Sequence, residues 1–193
     1  MGFGLTVITV ALDESPEAVR PSIDKASPTH PSLIDTDHVV ADLYNIVNVP
    51  TAVWIDEIGN IVRPNDVAFG DDRFRDFTHV ASGPHLDALQ AWITREALPF
   101  INEEVRGHMR LPTTQDQLAR AEFRIASWLG RRGRREAAER HFVRAGDLAP
   151  HDFTIRRGSL PMRGLDPRGP AFTEMHRDWV RRGNSYYVQL SDK

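Results

Sequence analysis

The chain contains no cysteine, so it has no disulfide and no thiolate for nucleophilic catalysis or metal ligation. Its eight histidines show no HxxxH or similar spacing. Each is read as a core or surface histidine, and no metal, cofactor or catalytic residue is expected. Asp13, Asp35, Asp37 and Asp56 stand at the ends of apolar runs, where capping backbone N–H groups is their expected work. The run RRGRR, Arg131–Arg135, reads as a solvated turn carrying helix-end charge. It has no interleaved aromatic residues, and no Gly-rich loop follows a strand, so nucleic acid is not an expected partner. The pointed arrangement is Val49, Pro50 and Thr51, at the start of the apolar run TAVWID, Thr51–Asp56. Proline removes a ladder donor and belongs at the first residue of a strand. In cis, an X–Pro bond also turns the backbone sharply.

The elements that would position this tripeptide can be read from periodicity. Gly4–Asp13, rich in β-branched residues, reads as a strand buried on both faces. Ser15 and Pro16 open a helix that Pro21 should end early or kink. Residues 30–37 form a loop or a very short strand. Val39, Val40, Leu43, Tyr44 and Val47 follow helical spacing after an Asp-rich start. Thr51–Asp56 and Asn60–Pro64 flank a turn with Gly59 and predict a hairpin. Residues 65–83 show no period, too long a stretch to be plain loop. Pro84 begins a helix with Leu86, Leu89, Ile93 and Ala97 on one face. From Thr113 to Pro150 the pattern is a helical hairpin, broken at Gly130 and Gly133. Residues 151–170 read as irregular, residues 171–183 as a last helix, and Ser185–Leu190 as a short strand.

In its combined spacing, Tyr44, Ile46, Val49, Pro50, Thr51, the run Ala52–Asp56, Gly59, Ile61 and Val62 resemble the second half of a thioredoxin fold. The likeness is to the TlpA/ResA-like thiol–disulfide oxidoreductases and their peroxiredoxin relatives, and it covers roughly residues 4–98. It implies a cis Val49–Pro50 bond, with Val49, Pro50 and Thr51 forming a loop that pairs with an extended peptide. The family's preceding strand and its Cys-x-x-Cys segment have no counterpart here. The central strand that lies between the equivalents of Leu5–Leu12 and Thr51–Asp56 is therefore missing. Direct pairing of those two strands, insertion of Ser185–Leu190, or a strand from a second subunit would fill the gap, and a homodimer or rearranged sheet is favoured. Residues 119–152 resemble one tetratricopeptide (TPR) repeat through Ala126, Gly133, Ala138, Phe142, Ala145 and Pro150. Glu122 and Leu129 depart from its usual Trp and Tyr.

The fold class expected is therefore α/β: a thioredoxin-like domain truncated at its N-terminus, residues 1–99, then a helical TPR-like extension with an irregular tail, residues 100–193. Charge supports two modules, the first net −9 and the second net +6. With 40% hydrophobic and 26% charged residues the composition is that of a soluble globular protein. No apolar run approaches the ~20 residues of a membrane span, and the start lacks the features of a secretory signal. A cytoplasmic location is expected, which a longer native N-terminus would change. The function expected is a redox-inactive module that binds or assembles proteins. The alternative is the C-terminal part of a thiol- or selenol-disulfide oxidoreductase or peroxidase whose active-site segment is absent from this gene model. Some TlpA/ResA-like relatives use selenocysteine, whose UGA codon is readily taken as a stop.

Overall fold

A computed structural model describes residues 4–95 and 100–187. It is a mixed α/β structure with two small sheets. The chain gathers into two units whose limits do not coincide with a boundary at residue 99. One is built round Val49–Arg110; the other joins Val7–Asn48 to Leu111–Tyr186.

In the second unit, β1 (Thr9–Ala11) pairs in parallel with β2 (Ser32–Ile34), Val10 opposite Leu33. The expected strand from Gly4 to Asp13 shrinks to three residues because Leu5, Val7 and Ile8 stay 42–55% exposed. The crossover is α1 (Pro16–Ala26), whose first turn is capped by the Ser15 hydroxyl accepting from the Ala18 N–H at 3.3 Å. Pro21 neither ends nor shortens this helix. No residue of α1 is buried, so water can satisfy the carbonyl that Pro21 leaves without its donor. α2 (Val39–Leu43) begins at the first residue of its periodic set and ends before Tyr44 and Val47. Asp35 fixes its start by accepting from the Val39, Val40 and Ala41 N–H groups at 2.7–3.1 Å.

The same unit holds the helical hairpin as expected. α6 (Thr114–Gly130) starts in a capping box, with Asp116 N–H on the Thr113 hydroxyl and Thr113 N–H on the Asp116 carboxylate. α7 (Arg135–Leu148) follows a turn in which Gly133 has φ +73°. Ala119, Phe123 and Ala126 meet Ala138, Phe142 and Ala145, all at most 3% exposed. Four alanines at i, i+7 spacing let the two backbones approach closely, and Phe123 and Phe142 fill the seam edge to face at 5.8 Å. Leu118 and Ile125, apolar on the same helix, stay on its exposed side at 41% and 45%. Residues 151–170, expected to be irregular, contain α8 (Phe153–Arg156) and α9 (Ser159–Met162). Asp152 caps α8 through the Thr154 and Ile155 N–H groups, and Ile155 joins the core. α10 (Pro170–Arg181) closes the order.

In the first unit, β3 (Ala52–Ile55) pairs antiparallel with β4 (Ile61–Asp66), with register shifts on either side of Trp54. The turn is held by Asp56, whose carboxylate accepts from the Ile58 and Asn60 N–H groups. Gly59 supplies φ +89°. The stretch without period holds α3 (Arg75–Thr78) and is closed by Asp72, which accepts from the N–H and hydroxyl of Ser82. α4 (Gly83–Ile93) and α5 (Asn102–His108) complete the unit; Ala97 of the expected α4 face lies outside the described residues. Among the described residues β1 pairs with β2 and β3 with β4, in place of the ladder expected between Leu5–Leu12 and Thr51–Asp56. Ser185, Tyr186 and Tyr187 are not in a strand, and the rest of the expected Ser185–Leu190 strand lies outside the described residues.

Candidate functional site

The three residues singled out by sequence lie together at the entrance to β3. The Val49–Pro50 bond is cis. Val49 is 48% exposed, and Pro50 and Thr51 are half-buried. The Thr51 hydroxyl lies 2.7 Å from the phenolic oxygen of Tyr187, 136 residues later. That is an ordinary O–H···O separation, and either oxygen can donate. Beyond Thr51, β3 has one ladder partner, β4; among the described residues no other strand pairs with it.

Behind this loop sits a cluster that the sequence reading did not assemble. Trp54, 4% exposed, stacks on Trp92 at 5.2 Å and takes the His85 ring on its edge at 5.4 Å. The Arg63 guanidinium lies over Trp54 at 5.1 Å and over Phe100 at 5.5 Å, and it reaches Asp66 at 3.4 Å. Arg63 Nε and His85 Nδ1 are buried with no hydrogen-bond partner among the described residues. Burial, and then the Arg63 charge, hold the His85 pKa below its usual value. A neutral imidazole and a cation between aromatic faces stiffen the base of the β3–β4 hairpin. The apolar run Ala52–Ile55 was the signal for a buried strand; the meeting with Trp92 had none.

The second unit carries a buried charge network. Arg120, 7% exposed, reaches Asp42 at 3.2 Å and Asp152 at 4.0 Å and donates to the Asn45 side chain. Arg124 also pairs with Asp42. Asp152 is 2% exposed, and burial raises its pKa despite the Thr154 and Arg120 contacts. His38, 6% exposed, lies on Phe123 at 4.5 Å. Desolvation brings its pKa down to about 4, leaving it neutral at pH 7. Glu122, where the TPR pattern has Trp, is held by His141 and Arg144. With its carboxylates spent on helix caps and arginines, this network has the chemistry of a structural lock.

Asp35 and Asp56 act as caps, and Asp37 pairs with Arg131 at 2.7 Å. Among the described residues no group of three His, Asp or Glu side chains converges on a metal-sized site. In the arginine run, Arg132 lies over Trp128 at 3.8 Å, so two of its four cations have partners within the unit. No helix among the described residues is long and apolar enough to cross a membrane. No protein-family model, curated protein or solved structure matches this chain.

Proposed function

We propose that this chain is a thioredoxin-like protein without redox chemistry, a binding or assembly module. It receives an extended protein or peptide segment at Val49, Pro50 and Thr51, and it carries a TPR-like hairpin in α6–α7. The observation that carries the reading is the edge of β3. A strand with one ladder partner among the described residues, entered through a loop whose Val49 is 48% exposed, would offer backbone groups to a partner strand. Main-chain pairing of this kind supplies affinity, and pockets for alternate side chains supply selectivity. The cysteine count of zero removes thiol exchange as the purpose of such binding.

A random-peptide library panned against the full chain bearing Tyr187→Ala tests this reading, since that variant leaves the loop open whatever the tail does. Enriched peptides are expected to slow amide exchange in Ala52–Ile55. They should lose at least tenfold in affinity when Val49→Lys is added, with the melting temperature preserved. A library that enriches no peptide, or peptides indifferent to Val49→Lys, overturns the reading.

A further inference from the structure

The Thr51–Tyr187 contact adds a ligand chemistry to this loop. Both hydroxyls belong to half-buried residues, and their oxygens meet at 2.7 Å. At that separation the two hydroxyls form a directional hydrogen bond. The pair joins positions 136 residues apart, so chain continuity does not impose it. Tyrosine suits such a position. Its ring gives a large apolar surface, and its hydroxyl gives one directional bond. Thr51 can answer a phenol as donor or acceptor.

We infer that the Val49–Thr51 loop recognises a tyrosine-bearing segment, and that the chain's own Tyr187 is its resident ligand. The inference rests on the peptide-binding reading of the loop and deepens it, since a partner must then displace the tail. A tethered segment acts at an effective concentration of the order of mM, so a free peptide of the same sequence competes poorly until Tyr187 is changed. The partner favoured by this arrangement carries a tyrosine and binds at more than one point.

The test uses a fluorescent synthetic peptide of residues 184–193 followed by anisotropy. The chain with Tyr187→Ala is expected to bind it at least tenfold more tightly than wild type. Adding Thr51→Val, or using a peptide with Phe in place of the second tyrosine, should weaken that binding at least threefold. In full chains bearing the milder Tyr187→Phe change, amide exchange at Ala52–Trp54 should speed up with the fold intact. Equal binding to wild type and Tyr187→Ala, no binding to either, or unchanged exchange in Tyr187→Phe overturns the inference. The two readings separate cleanly. If library peptides bind wild type and Tyr187→Ala equally, the loop binds peptides but the tail is not its ligand. If the tail peptide binds in a Thr51-dependent way and the library enriches nothing, the tail is an internal clasp and the binding function falls.

Discussion

At the scale of single residues, Arg120 has the most to lose. Its guanidinium stands against Asp42 and Asp152 while the residue is 7% exposed. Removing one partner of a buried ion pair leaves a charge without compensation, a loss of about 3–5 kcal/mol. Arg120→Met is expected to lower the unfolding free energy read from urea titration by about 3 kcal/mol, because Asp42 keeps Arg124. Asp152→Asn should recover part of the loss in the Arg120→Met background and none in wild type. There the new amide N–H₂ would face the guanidinium, while the Oδ1 that caps α8 can be kept in both. A double-mutant cycle reads this, and additive effects would show that Arg120 and Asp152 are not coupled. Little of this network was legible in the sequence. Asp35 and Asp56 announce themselves as caps because their partners are local. Arg120 and Asp42 are 78 positions apart, and only the fold brings them together.

At the scale of elements, two glycines in one region should behave oppositely. Gly146 lies inside α7, where an added Cβ meets only Arg156 Cγ at 3.7 Å. Glycine in a helix interior is about 0.8–1 kcal/mol worse than alanine, so Gly146→Ala is expected to raise the melting temperature. Gly158 lies between α8 and α9, where a Cβ would come within 2.1 Å of the Thr154 carbonyl oxygen and 3.5 Å of His38. Gly158→Ala forces backbone to move and should cost about 1–3 kcal/mol. Calorimetry of the two variants checks both signs, and a neutral Gly158→Ala would mean that the α8–α9 joint adapts freely. The elements themselves were legible in proportion to their autonomy. The α6–α7 hairpin declared itself through small residues at helical spacing, and each of Ala119, Ala126, Ala138 and Ala145 proved to be core. The β3–β4 hairpin declared itself through Gly59 between two apolar runs. α8 and α9 are four residues each, too short to show a period, and exist because Asp152 and tertiary packing hold them. β1 was overextended because apolar β-branched residues look the same whether or not a second partner strand arrives.

At the scale of the whole molecule, two properties follow from composition and burial. A chain with no cysteine has nowhere to hold the electrons of disulfide exchange. The purified chain is therefore expected to show no insulin-disulfide reduction above a heat-inactivated control, and turnover would refute the redox-inactive reading. The second property is acid sensitivity. His38 is neutral in the fold, its pKa brought to about 4 chiefly by desolvation and secondarily by Arg124, against the pull of Asp35 and Asp37. In the unfolded chain a histidine titrates near 6.5. Between these values the unfolded state binds the extra proton, so stability is full above pH 6.5 and falls as pH drops toward 4. The lowering from near 6.5 to about 4 corresponds to about 3 kcal/mol. His85 and His176, also lowered by burial, act with the same sign. Asp152 and Asp13, raised by burial, act with the opposite sign from pH 3.8 upward and soften the fall. Urea unfolding at steps from pH 7 to pH 4 should show the decline, and His38→Asn should flatten it. Asparagine accepts the left-handed φ of +55° at this position, so the variant removes the titrating ring without adding backbone strain. It will be less stable at pH 7, having lost the ring packed on Phe123, and the slope is therefore the deciding quantity. Parallel profiles for His38→Asn and wild type would remove His38 as the source of the acid sensitivity.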